Sequence, residues 1–399
     1  MRSTMSAAGT ATAAAIVLTG LITAAGPAAA ASAAPAASAA SAASAAGKAC
    51  TPAVVKLADV PGGPAGNGGA VKTFGANGLL AGQSRGLPAY WTADGTAHAV
   101  PVPEGFQYGE VKAVNAKGLM VGTLRRPGDY DHTFAFTYQQ GAAAVRLVNS
   151  GSTPSTLTDV NDAGRVVGMD AGVPKEWLNG TVVRELPVPA DAHPSTRIIS
   201  VDGINKRGDI VGTALTSHWE DDVITRKSFP VVWPAGGGYP PYSLRVWTES
   251  DYTVGTRATG IDDLGRVVGH EDRSYRDWQE RKPAVWKKPY DALPADPGRV
   301  AGFEHLTLDA VSPATNVSVG TAVTFVEGYA NHIQAAYWPG KGSPLALPHP
   351  AGAAPDSRSE AFAASDDDRV GGTFYDWNTM TASAVVWTCA SGQAYAPKP

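Results

Sequence analysis

A nine-residue motif recurs along the chain, and this repetition limits the possible folds more than any other feature. Its clearest copies are "VNAKGLMVG" (114–122), "VNDAGRVVG" (160–168), "INKRGDIVG" (204–212) and "IDDLGRVVG" (261–269). Three weaker copies, "FGANGLLAG", "SPATNVSVG" and "ASDDDRVGG", also end on glycine. The seven final glycines are Gly82, Gly122, Gly168, Gly212, Gly269, Gly320 and Gly372. A period of about 40 to 57 residues indicates an array of similar structural units.

Each repeat has the pattern of four short strands separated by turns. Repeat two, for example, runs "VKAV", the turn "NAKG", "LMVGTL", a loop, "TFAFTY", the turn "QQG" and "AVRLV". Within the motif, Asn161 is a turn former and Gly164 occupies a position that needs positive φ. Asn316 and Asp368 replace that glycine in repeats six and seven, and both tolerate a left-handed backbone. The sequence therefore predicts an all-β protein, a seven-bladed β-propeller of four-stranded antiparallel blades.

A second signature ends each third strand in an aromatic residue. It reads "PAYW", "AFTY", "PKEW", "PVVW", "PAVW", "AAYW" and "AVVW" in the seven repeats. Because the flanking residues are apolar, we expect the ring, Trp in every repeat but the second, to pack between neighbouring units rather than to bind a ligand.

The two cysteines predict how the array closes. Cys50 and Cys389 lie at the two ends of the repeat region. Repeat seven lacks a convincing fourth strand, and residues 51–58 ("TPAVVKLA") resemble the missing one. We expect this N-terminal strand to complete the last blade and close the ring, which would bring Cys50 to Cys389 as a disulfide.

The N-terminal region predicts export. Residues 1–30 combine Arg2, an apolar stretch and several A-x-A sites, which is typical of a secretory signal peptide. Residues 31–47 are rich in Ala and Ser and predict a disordered linker. Residues 48–399 would then form the propeller, secreted to the extracellular space as a monomer. A net charge of −4, with no run of basic residues, argues against nucleic acid and membrane partners.

These motifs resemble the extracellular HAF repeat family, whose repeat runs roughly "xINxxGxVVGY…HAFLW…G". "GINKRGDIVG…FPVVW" and "HTFAFTY" are the closest matches, and the resemblance covers about residues 69–389. The sequence departs from the family in lacking a strict "HAF" triplet and in replacing the motif Asn in repeats one, five, six and seven. The resemblance implies an exported repeat protein, a propeller, and brings no established activity or catalytic residues.

Function should depend on the segments that differ between repeats, which all follow the motif glycine and precede the third strand. Five of these insertions, predicted as loops on one face, combine aromatic residues with Asp, Glu or Asn. Such combinations suit a polysaccharide or a protein partner. The candidate ligand-binding residues are Tyr130, Trp219, Asp221, Tyr275, Asp277, Trp278, Tyr329, Tyr375, Asp376 and Trp377. The alternative is that these rings only cover their own hairpins.

A catalytic function is the main rival to binding. Paired carboxylates could cleave a polysaccharide as a glycoside hydrolase or lyase, with candidates Glu220, Asp221, Asp222, Glu271, Asp277 and Asp376, although these have no fixed spacing. No "GxSxG" nucleophile elbow occurs. "SDDDRV" (365–370) resembles a calcium loop but aligns with the motif turn, and no metal site or cofactor is predicted. The sequence therefore favours a secreted, non-catalytic binding or scaffold module for a polysaccharide or an extracellular or envelope protein.

Overall fold

The computed structural model describes residues 50–398 apart from 63–67, 130, 150, 221–222, 248–252, 276–277 and 327–328. The predicted signal peptide (1–30) and linker (31–47) lie outside the described residues. Among those described, no helix is long and apolar enough to cross a membrane.

The described residues are almost entirely β-strands and turns. The strands are β1 (Ala53–Lys56), β2 (Ala70–Phe74), β3 (Leu80–Ser84), β4 (Leu87–Trp91), β5 (Ala97–Ala99), β6 (Tyr108–Val114), β7 (Leu119–Arg125), β8 (Phe134–Gln139), β9 (Arg146–Leu147), β10 (Ser155–Val160), β11 (Arg165–Asp170), β12 (Val173–Leu178), β13 (Thr181–Glu185), β14 (Arg197–Ile204), β15 (Ile210–Glu220), β16 (Val223–Trp233), β17 (Tyr242–Ser243), β18 (Thr253–Ile261), β19 (Val267–Tyr275), β20 (Trp278–Trp286), β21 (His305–Val311), β22 (Ser318–Val326), β23 (Tyr329–Trp338), β24 (Leu345–Ala346), β25 (Arg358–Ala364), β26 (Arg369–Asp376) and β27 (Thr381–Thr388). Within the described ranges there are also two short 3₁₀ turns (Ala76–Gly78, Ala235–Gly237) and one helical turn, α1 (Ala390–Gln393).

Each repeat folds as an antiparallel meander. The four-stranded sheets are β2-β3-β4-β5, β6-β7-β8-β9, β10-β11-β12-β13, β21-β22-β23-β24 and β1-β27-β26-β25. Repeats four and five share one seven-stranded sheet, joined by a parallel bridge between Ser228 and Gly255. Repeat five has only a bridge, Val285 to Ala295, in place of a fourth strand. Its segment 291–298 contains two prolines, which cannot donate to a ladder. The predicted all-β architecture of four-stranded antiparallel sheets is confirmed.

The N-terminal strand belongs to the sheet of repeat seven. Strand β1 pairs antiparallel with β27, with Ala53 opposite Thr388. Cys50 and Cys389 form a disulfide, and their Cα atoms are 5.9 Å apart. The predicted disulfide and strand pairing are therefore present. Lys56 adds an ion pair, because its Nζ lies 3.1 Å from Oδ2 of Asp376.

The motif turn has two structural roles. Oδ1 of Asn161 accepts hydrogen bonds from the backbone N–H groups of Ala163 and Arg165, which holds its own turn. Nδ2 of Asn161 donates to the carbonyl of Asn205 in the next repeat at 3.0 Å. Asn115 makes the same link to Asn161. The motif Asn therefore closes a turn and joins neighbouring repeats at once, which the sequence pattern alone did not predict.

Substitutions in the weaker motifs follow the same geometry. Asn316 and Asp368 have φ of 72° and 62°, as predicted for residues that replace a turn glycine. In repeat six the turn is one residue longer than the ungapped alignment implied. Ser312 rather than Pro313 takes the place of the motif Asn, since its Oγ accepts from the N–H of Val317.

The final motif glycine is required by a close approach between strands. A Cβ on Gly168 would lie 2.0 Å from the carbonyl oxygen of Thr156, and the other six final glycines face a backbone oxygen at 1.9 to 2.4 Å. A β-bulge follows directly: the register of β10 against β11 shifts between Leu157 and Asp159, leaving Thr158 unpaired. The first strand of every repeat has a bulge at the equivalent position. A bulge bends its strand and re-aims one side chain.

The aromatic residue that ends each third strand packs between repeats, as predicted. Trp91, Trp233, Trp286 and Trp387 are at most 1% exposed. The cluster around Trp233 contains Val167 and Leu186 of the preceding repeat, and the other six aromatic residues occupy equivalent clusters. These interfaces form the core of the fold.

Candidate functional site

The first strands of the seven repeats line a cavity of about 1060 Å³. Its wall also includes the motif turns, so it opens at the turn end of the sheets. This volume is slightly above the roughly 300–1,000 Å³ typical of small-molecule sites. The sequence pattern indicates only a structural role for these residues and does not predict the cavity.

One bulged residue from each repeat lines this cavity at the same level. We call these residues the bulge ring; its members are Lys72, Lys112, Thr158, Asp202, Thr259, Asp309 and Phe362. They differ in chemistry while the residues around them repeat. That contrast is the sequence signal that could have identified them.

Asp202 and Asp309 are presented in the same way in repeats four and six. Oδ2 of Asp202 accepts hydrogen bonds from the hydroxyls of Ser200 and Thr213, at 2.9 and 3.2 Å. Oδ2 of Asp309 accepts from Thr307 and Thr321, at 3.0 and 3.1 Å. The same pair of flanking hydroxyls therefore orients both carboxylates. Burial raises the pKa of Asp202 to about 6, although the hydrogen bonds from its two hydroxyl partners lower it. Burial also raises the pKa of Asp309.

Asp159 is a third carboxylate at the cavity and, like Asp202 and Asp309, is half-buried, but it has a different role. Its Oδ1 and Oδ2 accept from the backbone N–H groups of Val160 and Ile204, at 2.7 and 2.8 Å. Burial raises its pKa to about 6. Both oxygens are occupied by backbone donors, and one belongs to the next repeat, so Asp159 joins repeats three and four.

Cationic groups face these carboxylates. Nζ of Lys72 lies 3.3 Å from the centre of the Phe362 ring, and burial lowers its pKa. Lys112 is paired with Glu110 at 2.6 Å. Arg257 of repeat five contributes a positive charge that acts on Asp202.

His270 occupies the position in repeat five that Thr213 and Thr321 occupy in their repeats, directly after the final motif glycine. Its Nε2 lies 3.6 Å from Oδ2 of Asp272, and its buried Nδ1 has no hydrogen-bond partner among the described residues. In the described part of the chain, no group of three or more His, Cys, Asp or Glu residues is arranged to hold a metal ion.

The segments predicted as binding loops are largely strand. In repeat four, β15 and β16 pair out to Glu220 opposite Val223, so the predicted loop 217–227 is mostly a β-hairpin. The insertions of repeats five and six likewise extend β19–β20 and β22–β23. Tyr275, Trp278 and Tyr329 lie at the ends of these strands. Tyr130, Asp221 and Asp277 lie outside the described residues.

Two hairpin tips expose aromatic residues. Trp219 is 71% exposed and lies opposite Ile224, which is 43% exposed. In repeat seven, Trp377 is 38% exposed and packs edge-on against Tyr375 with ring centres 5.0 Å apart. The guanidinium of Arg358 lies 5.4 Å from the Trp377 ring. Trp219, Tyr375 and Trp377 are among the candidate residues chosen from the sequence, and Ile224 and Arg358 are added to them by the structure.

Two of the carboxylates considered for catalysis form ion pairs within the protein. Asp376 is 7% exposed, is paired with Lys56 and accepts from the N–H of Asn378. Glu271 is fully buried and pairs with Arg273. Glu220 ends β15, and Asp222 lies outside the described residues.

The "SDDDRV" segment is a hydrogen-bonded turn. Asp366 accepts from the N–H of Ala314 in repeat six, Asp367 pairs with Arg369, and Asp368 accepts from Ser391. Each of the three carboxylates therefore has a protein partner in this turn.

The hairpin tips and the cavity opening lie at opposite ends of the sheets. In a meander, the turn between the first and second strands and the turn between the second and third lie at opposite ends of the strands. The motif turns join the first and second strands and line the cavity opening. The insertions join the second and third strands and therefore lie at the other end. The chain therefore has two separate surfaces on which function could depend.

No protein-family model matches the chain, and no curated protein does. Solved structures with a similar chain trace have low identity. Virginiamycin B lyase from Staphylococcus aureus is 9% identical, with a TM-score of 0.42, covering 85% of this chain and 99% of its own. A putative TolB from Agrobacterium tumefaciens is 10% identical, with a TM-score of 0.35, covering 78% and 86%. An N11 neuraminidase-like protein of an influenza virus from a flat-faced bat is 9% identical, with a TM-score of 0.36, covering 70% and 86%.

Proposed function

We propose that this protein is an exported seven-bladed β-propeller of the HAF repeat type that binds a polysaccharide or an extracellular protein without catalysis. Its ring is closed by β1 in the last blade and by the Cys50–Cys389 disulfide. The contacts of β2 with β25 and β26 support closure, since they repeat between the last and first blades the packing found between neighbouring blades. The disulfide supports an oxidising compartment.

The observation that carries the binding function is the exposure of Trp219 at the end of a long hairpin. The aromatic residues that end the third strands are all buried, whereas this indole is 71% exposed. Trp is enriched at the energetic centre of binding interfaces because its large flat surface is desolvated on contact. Ile224 opposite Trp219 and the Tyr375–Trp377 pair in repeat seven extend the apolar surface available to a partner.

A retention experiment tests this proposal. The exported protein is incubated with insoluble cellulose, chitin, xylan and bacterial cell walls, and both retained protein and new reducing or unsaturated ends are measured. We expect retention without product, with a Trp219→Ala, Trp377→Ala double variant losing about 10- to 100-fold in affinity. Tyr239→Ala is the matched control, because Tyr239 is 69% exposed but lies in the connection between β16 and β17, at the opposite end of the sheet.

The other outcomes assign the function differently. Equal loss in the Tyr239→Ala variant would show non-specific adhesion. New chain ends would replace the binding proposal with the hydrolase or lyase alternative. Retention on cell walls that is lost after protease treatment of the walls would identify an envelope protein as the partner.

A further inference from the structure

The wall of the cavity presents charges of both signs, which alternate from repeat four to repeat six. Asp202 in repeat four and Asp309 in repeat six stand on either side of repeat five, which contributes Arg257 and His270. Repeat seven places Phe362 next to Asp309, and repeat one follows with Lys72. Going round the bulge ring from repeat four, the wall offers an acceptor, donors, an acceptor, an apolar ring and a donor.

Several of these groups have unused hydrogen-bonding capacity. The two hydroxyl bonds to Asp202 both end on Oδ2, and so do the two to Asp309. Oδ1 of each carboxylate accepts no hydrogen bond from any residue that the structure describes. Likewise, Lys72 and Arg257 donate to no acceptor within the described ranges, although each acts on a carboxylate electrostatically. Polar groups that are held in fixed positions at a cavity and can still form hydrogen bonds usually determine the specificity of small-molecule sites.

The mixture of charges selects the class of ligand. A simple anion attracted to Lys72 and Arg257 would be repelled by Asp202 and Asp309, and a simple cation would meet the opposite pattern. A neutral molecule with many hydroxyls avoids both penalties, because each hydroxyl donates to a carboxylate and accepts from an ammonium or guanidinium group. The part of the Phe362 ring that Lys72 does not cover supplies an apolar surface for carbon atoms that carry no hydroxyl contact.

We propose that the cavity is a binding site for a neutral saccharide of one to three units. Its hydroxyls donate to Oδ1 of Asp202 and of Asp309 and accept from Lys72 and Arg257. Ser200, Thr213, Thr307 and Thr321 orient the two carboxylates. This site is distinct from the hairpin tips, lies at the other end of the sheets and does not depend on the binding function proposed for them.

Calorimetric titration of the exported protein tests the site directly. The probes are glucose, galactose, N-acetylglucosamine, and the disaccharides and trisaccharides built from them; sodium phosphate, glycine and spermidine represent an anion, a zwitterion and a cation. We expect at least one saccharide to bind at a single site per chain. Asp202→Asn and Asp309→Asn should each raise its Kd by about 10- to 100-fold, because a charge-assisted hydrogen bond is lost. Lys72→Gln should weaken binding in the same direction.

Two controls separate this site from structural effects and from the hairpin tips. Asp159→Asn changes a carboxylate whose oxygens are both occupied by backbone donors, so it should lower the unfolding temperature while leaving the saccharide Kd within about two-fold. The Trp219→Ala, Trp377→Ala variant should keep the saccharide Kd, even where it loses retention on polysaccharide. Conversely, Asp202→Asn should keep that retention.

The proposal is overturned if no saccharide in the panel binds, or if saccharide binding survives both Asp202→Asn and Asp309→Asn in folded protein. Tighter binding of phosphate, glycine or spermidine than of any saccharide would assign the cavity to a charged ligand instead. Loss of saccharide binding in the tryptophan variant would place that site at the hairpin tips.

Discussion

The indole N–H of Trp91 donates to the carbonyl of Ala58 at 2.7 Å, and that of Trp387 donates to the carbonyl of Pro348 at the same distance. Pro348 follows the fourth strand of repeat six, so Trp387 binds the segment that leaves the preceding sheet. Ala58 likewise lies two residues after the end of β1. The N-terminal segment therefore accepts from repeat one as the residue after a preceding fourth strand does for repeats four, five and seven. In sequence, this segment is separated from β27 of repeat seven by more than 300 residues.

This equivalence predicts matched effects of two substitutions. Trp91→Phe and Trp387→Phe each remove the indole donor and put a smaller ring in a fully buried position, so each should lower the free energy of unfolding by about 1–3 kcal/mol. Chemical denaturation measures both, and the exposed Trp377→Phe, expected to change it by less than about 0.5 kcal/mol, serves as the control. If Trp91→Phe left the free energy of unfolding unchanged while Trp387→Phe lowered it, β1 would not act as a fourth strand for repeat one.

The two roles of the motif Asn can be separated by substitution. Asn161→Asp keeps the oxygen that holds the turn, as Asp262 does for Leu264 and Arg266, but loses the donor to Asn205. It should therefore destabilise the fold by about 1 kcal/mol, and Asn161→Ala, which loses both roles, by about 2–3 kcal/mol. Equal losses in the two variants, measured by denaturation, would assign the whole effect to the link between repeats.

Gly168→Ala tests the close approach at the bulge. The added Cβ would meet the carbonyl oxygen of Thr156, and relief requires a backbone shift, so we expect a loss of about 3 kcal/mol. Gly238→Ala is the matched control, since a Cβ added there would meet no atom within 4 Å beyond its chain neighbours, and its φ is −78°. Thermal unfolding of the two variants should differ by several degrees; similar midpoints would contradict the steric argument.

Asp202 should make stability depend on pH in an unusual direction. Its pKa is about 6 in the folded protein and 3.8 for the unperturbed side chain, so between these values the folded state binds more protons than the unfolded state. The contribution of this group to the free energy of unfolding therefore rises as pH falls from 7.5 to 4.5, by about 2 kcal/mol.

Asp202→Asn removes this titration. The difference in free energy of unfolding, variant minus parent, should be most positive at pH 7.5 and should shrink by that amount at pH 4.5. Denaturant titrations at four pH values measure it. A difference that does not change with pH would show that Asp202 titrates at its ordinary pKa in the folded protein.

The sequence predicted the strands because their pattern is local. The type of each residue indicates its surroundings directly: Val166 and Val167 are typical of a strand, the motif glycine of a turn, and the third-strand tryptophan of a buried interface. The two cysteines predicted the contact between the two ends of the repeat region. The cavity was missed because Lys72, Asp202 and Phe362 share no chemistry. Their common position depends on hydrogen-bond register, which composition does not reveal.

The extended hairpins of the insertions escape prediction for a related reason. Their Asp, Glu and Lys residues are uncommon in strands, yet in repeat four pairing across a long hairpin continues to Glu220. Cross-strand neighbours such as Trp219 and Ile224 stabilise such a hairpin, and this depends on which residues face each other.

The bulge in each first strand also bears on redesign. A residue at a bulge is not paired with a residue on the neighbouring strand, so its replacement leaves the alignment of the two strands unchanged. Thr158 and Thr259 also donate hydrogen bonds to carbonyl groups of the next repeat, both at 2.6 Å, so these two should be kept. The other five ring positions can then be varied without changing the pairing of the strands. A combinatorial library confined to them would vary the polarity, charge and volume of the cavity wall while keeping the same scaffold.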